Sequence, residues 1–482
     1  MKKIVYFICS LFIFSCSNSL DVVPVSSLTV SSMWKSEEDV SGAMYGMYSQ
    51  LRSVLNTNFI YWGDCRSGVI GDGLAPGANY QDMYNNTLDM QDDGTNWQSL
   101  YTTINDCNLI LKYTPDLTFR NENDKNFILA NAYFVRALCY FYAARVWGNV
   151  PILINGTVSD SQEDLYPSRS PLKDVLEQVK NDIEKSIGLF PNDNISSRKI
   201  ASKAAANMLK TDFYLWIAKT QGGGTDALNE ANSAITQVLT NSALKLSDNY
   251  ENIFRNDDNE EIIFAINFEQ NEATANFCSE YLIPAQYIVN LDLIGNPVQI
   301  GSHQQRCQLT KDFLLFLNEN PNDTRTEVSF AIYYDTENNF EYRWINKYLG
   351  EWINNSRYFT SDIKLYRLAE AILFKAEIEN ALDNQIEALN RLNVIAKRAY
   401  GVDNYYSGTY DKKTLDELIL NERLKELTVE GKSWFDLIRF GVVFDRVKTL
   451  AGRENEQNIL FWPVNKASID SNQNIKQTPG YD

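Results

Sequence analysis

Apolar residues recur mostly at three- and four-residue steps over long stretches of this chain, and that period predicts helices. From Asn96 to Tyr113 the stripe is Trp97, Tyr101, Ile104, Asn108 and Leu111. From Lys125 to Trp147 it is Ala130, Ala132, Phe134, Ala137, Tyr140, Phe141 and Ala144. Small residues in that second helix let neighbours approach closely, as in tetratricopeptide helices. Further helices are predicted over Pro171 to Leu189, Ala201 to Lys219, Asp226 to Leu239, Ser361 to Asn380 and Gln385 to Tyr400. Ala376, Ala388 and Leu392 approximate the small-small-large spacing of a tetratricopeptide pair. A second pair runs from Ala201 to Leu239, interrupted by Gly222-Gly223-Gly224. Together they predict a stacked-helix scaffold.

The period fails in two stretches. Tyr61 to Asp93 is rich in Gly, Asn, Asp and Tyr. Ser242 to Thr360 holds short runs such as EIIFAINF (Glu261 to Phe268) and FEYRWINKY (Phe340 to Tyr348), which predict loops and short strands. Function tends to sit in such irregular segments on a rigid scaffold. Asn421 to Gly441 returns to the helical period, with Leu424, Leu427, Gly431, Trp434, Leu437 and Ile438 on one face. The expectation is one helix, capped by Asn421 and closed by Gly441 in a left-handed conformation.

The chain has 482 residues with 44% hydrophobic content, ample for a large core, and no Pro/Gly/Ser-rich linker divides it. The reading is a mainly α protein with one domain over residues 16–482. Its helical scaffold covers about 30–240 and 361–450, and its irregular region covers 61–93 and 242–360. Residues 1–15 read as a targeting signal: Lys2 and Lys3, an apolar stretch from Ile4 to Phe14 too short to span a bilayer, then Ser15 before Cys16. That ending looks like a lipobox, which makes Cys16 the lipidated first residue of the mature chain. The rival is a plain secretory signal with an incidental cysteine. No later apolar run reads as membrane-spanning.

The net charge is −18; removing Lys2 and Lys3 leaves 42 basic against 62 acidic residues, hence −20. That balance disfavours nucleic acid, whose phosphates need Lys/Arg clusters. It also disfavours an anionic polysaccharide unless a local basic patch intervenes. Beyond Cys9 and Cys16, the cysteines Cys65, Cys107, Cys139, Cys278 and Cys307 show no CxxC spacing. They predict neither a metal site nor a disulfide framework.

A set of motifs appears in order along the chain: Leu20-Asp21 and Pro24 after Cys16; Arg136-Ala137 and WGNVP (Trp147 to Pro151); Arg169, Val175 and Asp182; Lys203 to Ala206; EEIIF (Glu260 to Phe264); YRLAE (Tyr366 to Glu370); ERLKEL…EGKSWFDLIRFG (Glu422 to Gly441); FWPV (Phe461 to Val464); and QTPGY (Gln477 to Tyr481). This series resembles the RagB/SusD family of Bacteroidetes outer-membrane lipoproteins. The resemblance implies a SusD-like helical scaffold with tetratricopeptide-like pairs and an irregular region that bears the ligand site. It implies a SusC-like TonB-dependent transporter as partner and lipid anchoring at the outer membrane. The acidic run that often promotes surface export after the lipid is missing, so anchoring is better supported than a cell-surface orientation. In this setting Glu422, Arg423, Glu426 and Arg439 read as ties between helices, not as ligand contacts.

Catalysis finds little support. His303 is the single histidine, in GSHQQRC, which matches no catalytic motif. The glycine triplet lacks the Lys-Ser/Thr of a phosphate loop. No catalytic, cofactor or metal residue is assigned, and 62 acidic residues make carboxylate pairing uninformative.

Neutral sugars call for aromatic platforms beside amides, carboxylates or Arg. Of nine tryptophans, Trp97, Trp147, Trp434, Trp462, Trp216 and Trp34 read as core. The ligand candidates are Trp62, Tyr80, Tyr84, Tyr281, Tyr287, Trp344 and Trp352, chosen because they sit in irregular segments beside Asn79, Asp82, Asn85, Arg343, Asn354 and Asn355. The expected function is glycan capture and delivery to the transporter. The rivals are a peptide-binding RagB-like protein, a glycoside hydrolase and a pure assembly scaffold.

Overall fold

The first long helix begins where Ser36 and Asp39 cap each other. The Ser36 hydroxyl accepts from Asp39 N at 3.2 Å, and the Asp39 carboxylate accepts from Ser36 N at 2.9 Å. From there the computed structural model runs α1 (Glu37–Ile60), α2 (Ala78–Asn85), α3 (Gln98–Tyr113), α4 (Glu122–Trp147), α5 (Leu172–Leu189), α6 (Lys203–Thr220) and α7 (Gly224–Leu239). After a long insert come α8 (Leu368–Ala381), α9 (Gln385–Tyr400), α10 (Lys412–Glu426) and α11 (Ser433–Arg439). The structure describes residues 33–159, 162–163, 165–275, 277–302, 304–354 and 356–481. The expected signal and Cys16, with His303 and Asn355, lie outside them.

Each scaffold helix packs on the next: α3 on α1, α4 on α3, α5 on α4, α6 on α5 and α7 on α6. Then α8 packs on α7, with α9 and α10 on α8, so the stack continues across the insert. Both expected helix pairs, α6/α7 and α8/α9, are present. Helix α4 is long and apolar enough to cross a membrane, contrary to the expectation from sequence, but 83% of its apolar window is buried among its neighbours. Its Ala and aromatic residues pack on all sides, which makes it a core helix.

The insert, together with Ile70–Asp72, forms five two-stranded sheets among the described residues: β1 (Ile70–Asp72) with β5 (Cys307–Leu309), β2 (Ile262–Ile266) with β10 (Ile363–Arg367), β3 (Ile283–Pro284) with β4 (Ile300–Gly301), β6 (Phe330–Asp335) with β7 (Phe340–Ile345), and β8 (Glu351–Ile353) with β9 (Ser356–Tyr358). All are antiparallel except β3/β4. Strand β10 takes the first part of the helix expected from Ser361. It is buried at every position, and its pairing with β2 outweighs the helical period.

Two further expectations are corrected. The segment 61–93 is not all loop: α1 runs on through a π-helical turn, Tyr61–Cys65, and Ala78–Asn85 is a helix. Asn421 to Gly441 is two helices, not one. Asn421 lies inside α10, whose cap is Asp411, and the chain turns at Val429 (φ 57°) and Gly431 (φ 73°) before α11. Gly441 does take the left-handed conformation (φ 73°). The break at Gly431 has a tertiary cause. Gly63 lies against it, so that a Cβ on Gly63 would stand 2.1 Å from Gly431 O. The adjoining Asp64 carboxylate, fully buried, accepts from Gly431 N at 2.7 Å and Ser433 N at 3.2 Å. Burial pushes this carboxyl up to about 6 against those hydrogen bonds.

The charges of that signature are buried and matched. Arg325 bonds Asp323 at 2.7 Å and Glu422 at 2.8 Å. Arg367 bonds Glu261 and Glu430, each at 2.8 Å, and also Glu426, which is shared with Arg398. Lys347 completes Glu430 at 2.9 Å. Arg423 joins Asp436 at 2.8 Å and Glu370 at 3.2 Å, while Arg439 joins Glu377 at 2.9 Å and Asp436 at 2.8 Å. These bonds tie α10 and α11 to α8, α9, β10 and Glu261 just before β2. Multidentate pairing is what lets so many charges leave water.

Distant motifs also meet in the aromatic core. Trp147 packs edge-on to Trp62 at 5.5 Å and Trp97 at 5.6 Å, and its indole N–H donates to Pro463 O. Arg66 lies 4.4 Å from the Trp434 ring centroid and 5.8 Å from that of Trp462, and donates to the carbonyls of Ile459, Leu460 and Phe461.

Candidate functional site

The two irregular segments come together. β1 pairs with β5 in the register Ile70↔Leu309 to Asp72↔Cys307. Tyr80 and Tyr84, one turn apart on α2, bind across the join. The Tyr80 hydroxyl donates to Glu280 Oε2 at 2.7 Å and lies 2.7 Å from the Tyr61 hydroxyl, and Tyr84 donates to Arg306 O at 3.1 Å. Gln305 donates to the carbonyls of Tyr281 and Arg343.

That closure decides which aromatic rings reach solvent, and it corrects four of the expected ligand residues. Trp62 is fully buried in the core described above, and its N–H donates to Gly94 O. Tyr281 is fully buried against Phe277 and Tyr348. Tyr80 is buried between Tyr61, Tyr84 and Glu280. Trp344 belongs to a small second core with Leu282, Ile283, Ile288, Val298 and Tyr342, and donates to Asn346. None of the four offers a ring face to a ligand. Tyr84 and Tyr287 are half-buried, Tyr287 against that second core.

Trp352 is the exception, 43% exposed. It stands on the β8/β9 hairpin, whose turn includes Asn354 in the left-handed region (φ 49°). Its cross-strand partner is Arg357, whose guanidinium carbon lies 5.3 Å from the indole centroid. Arg357 is held in place by Leu349 O at 2.7 Å and Gln299 Oε1 at 2.8 Å, and burial lowers its proton affinity to about 10. Gly295 (φ 78°) lies at the other side, where a Cβ would stand 3.2 Å from Trp352 Cζ2. Glu351, exposed at the start of the hairpin, accepts from Thr360 at 3.1 Å. The site is an open platform: an apolar ring bordered by a fixed cation, a carboxylate and an amide. Larger clefts lie on the scaffold, among them one of about 860 Å³ near Tyr133.

Sequence reasoning missed Gln299, Gly295, Glu351 and Arg357 as neighbours of Trp352. The alternation of EWINNSRY around an Asn-Asn turn was the available signal for the Trp352–Arg357 pair.

Residues 20–215 match a family model described as "Starch-binding associating with outer membrane", and residues 324–459 match the SusD family model. The chain is 26% identical to SusD-like protein P38 of Formosa agariphila, over 97% of this chain and 96% of that protein. It is 24% identical to the starch-binding protein SusD of Bacteroides thetaiotaomicron, over 72% of each. Among solved structures, NanU of B. fragilis superposes with a TM-score of 0.83 at 28% identity, covering 95% of this chain and 99% of that one. With both family models matched in order and the whole fold shared, this chain belongs to the SusD/RagB family.

Proposed function

We propose that this protein is a carbohydrate-binding nutrient-uptake lipoprotein of the outer membrane. It captures oligosaccharides on the Trp352 platform at the cell surface and passes them to a SusC-like TonB-dependent transporter. One observation carries the ligand reading: Trp352, alone among the seven candidates, exposes a large share of its ring beside fixed polar groups. A sugar's C–H face stacks on the indole, and its hydroxyls bond Glu351 and the Arg357–Gln299 pair. Tyr84 and Tyr287 add partly exposed ring edges.

Binding is the whole mechanism in this reading, and no residue is given a catalytic role. Membership of a family described as starch-binding and outer-membrane-associated supports the class. Lipidation of Cys16 supplies the anchor. Calorimetry against a panel of neutral polysaccharides tests the ligand class. Binding to peptides with no binding to any glycan overturns it in favour of a peptide-binding protein. Co-purification with a TonB-dependent transporter tests the partner, and intact mass of the mature protein tests the lipid.

A further inference from the structure

We infer that a second site for a neutral sugar lies in a cavity of about 280 Å³ between α1 and the loop that follows β2. Its key residues are Tyr45, Ser49, Arg52, Lys199, Asn267 and Glu272. The site does not depend on the Trp352 reading.

Three observations converge there. The first is an aromatic ring that the fold leaves out. Tyr45 is 59% exposed on α1, a helix that otherwise turns its aromatic residues inward. The second is a fixed polar wall. Arg52 donates to Glu272 at 2.6 Å, to Asn267 O at 3.2 Å and to Ser49 Oγ at 3.2 Å, so the wall is held from both sides.

The third is unmet hydrogen bonding at one place. Asn267 Oδ1 is a buried acceptor with no donor among the described residues. Lys199 Nζ has its nearest acidic oxygen, Asp362 Oδ2, at 4.0 Å, beyond hydrogen-bond reach. That oxygen is itself buried and unpartnered, on a carboxyl fully removed from solvent. Buried polar groups without partners are rare in folded proteins. A sugar hydroxyl both donates and accepts, so hydroxyls in this cavity can answer the lone Asn267 acceptor and take donors from the part-exposed Lys199 ammonium.

Charge and size narrow the class. Arg52 is paired with Glu272 and Lys199 lies 4.0 Å from Asp362, so an acidic group borders each cation and disfavours a strongly anionic ligand. The volume falls just short of the roughly 300 Å³ at which pockets for drug-sized ligands begin. That suits a single sugar ring, with its C–H face on Tyr45. The loop is also tied to the residue that follows the first platform's hairpin, because Ala275 N donates to Phe359 O.

Saturation-transfer NMR and calorimetry with maltose, cellobiose, lactose and mannobiose test the proposal on the full chain and on Trp352→Ala, Tyr45→Ala, Lys199→Met and the Tyr45→Ala/Trp352→Ala pair. Tyr45 is exposed, so its removal leaves the melting temperature in place. The expectation is that Trp352→Ala retains weak binding of at least one disaccharide. Adding Tyr45→Ala weakens that residue of binding by about tenfold, and Lys199→Met weakens it too. The proposal is overturned if no disaccharide binds Trp352→Ala, or if the double variant binds as Trp352→Ala does. Failure of the first platform reads out separately, as Trp352→Ala binding like the wild type.

Discussion

The signature region Asn421–Gly441 and the β8/β9 hairpin are both crowded with charged and aromatic side chains, yet the fold treats them in opposite ways. Within Asn421–Gly441, Glu422, Arg423, Glu426, Glu430 and Arg439 are all withdrawn from water and meet several partners, and Arg367 alone binds Glu261, Glu426 and Glu430. On the hairpin, Arg357 meets a carbonyl, an amide and the Trp352 ring but no carboxylate among the described residues, and Trp352 is left nearly half in solvent. A charge's chemical type therefore says little about its role. What matters is whether the structure already satisfies it. Charges paired with opposite charges in the interior hold the scaffold together, whereas the hairpin leaves a ring and a cation at the surface.

Substitutions separate the two regions by size of effect. Arg367→Met leaves buried carboxylates short of a partner and costs about 3–5 kcal/mol, read by chemical denaturation. A loss below about 1 kcal/mol would show that the network is not held as described. Gly63→Ala drives a methyl into Gly431 O, where the separation would be 2.1 Å. It costs about 3 kcal/mol or displaces the turn before α11, and a melting temperature like the wild type's would remove the proposed cause of that turn.

The network also predicts an acid limit. Burial alone would raise the Glu377 carboxyl from its ordinary 4.5, but Arg439 and Lys219 outweigh burial and hold it at about 2. A depressed carboxyl contributes stability that is complete above the unfolded value of about 4.5 and is lost as pH falls towards 2. Glu377→Gln therefore lowers stability near neutrality, and its difference from the wild type shrinks through that window. A difference constant from pH 6 to pH 2 contradicts the assignment. The smallest stability effect belongs to Trp352→Ala: its ring is exposed, so the melting temperature changes little while ligand binding falls.

Much of the scaffold is legible in the sequence, because helical period and small-residue spacing are local. α9 has the expected bounds, from Gln385 to Tyr400, and α3, α5, α6 and α7 differ from expectation by one or two residues at an end. The signature's charges also read correctly as ties between helices. Its single helix does not, because Gly431 turns against Gly63, more than 360 residues away in the chain. The same limit governs the aromatic rings. Tyr80 and Trp62 sit in polar, glycine-rich sequence that looks exposed, but Glu280 and Trp147 come from distant segments to cover them. Trp352 differs because its hairpin is local and the distant residue against its indole, Gly295, has no side chain, which leaves the residue 43% exposed.

The central claim is that ligand binding resides on the exposed platform and not in the buried signature. Calorimetry of wild type and Trp352→Ala against the polysaccharide that binds wild type most tightly tests it most directly. The predicted result is binding weakened about tenfold or more with an unchanged melting temperature. Equal affinity of the two proteins for that glycan would contradict it.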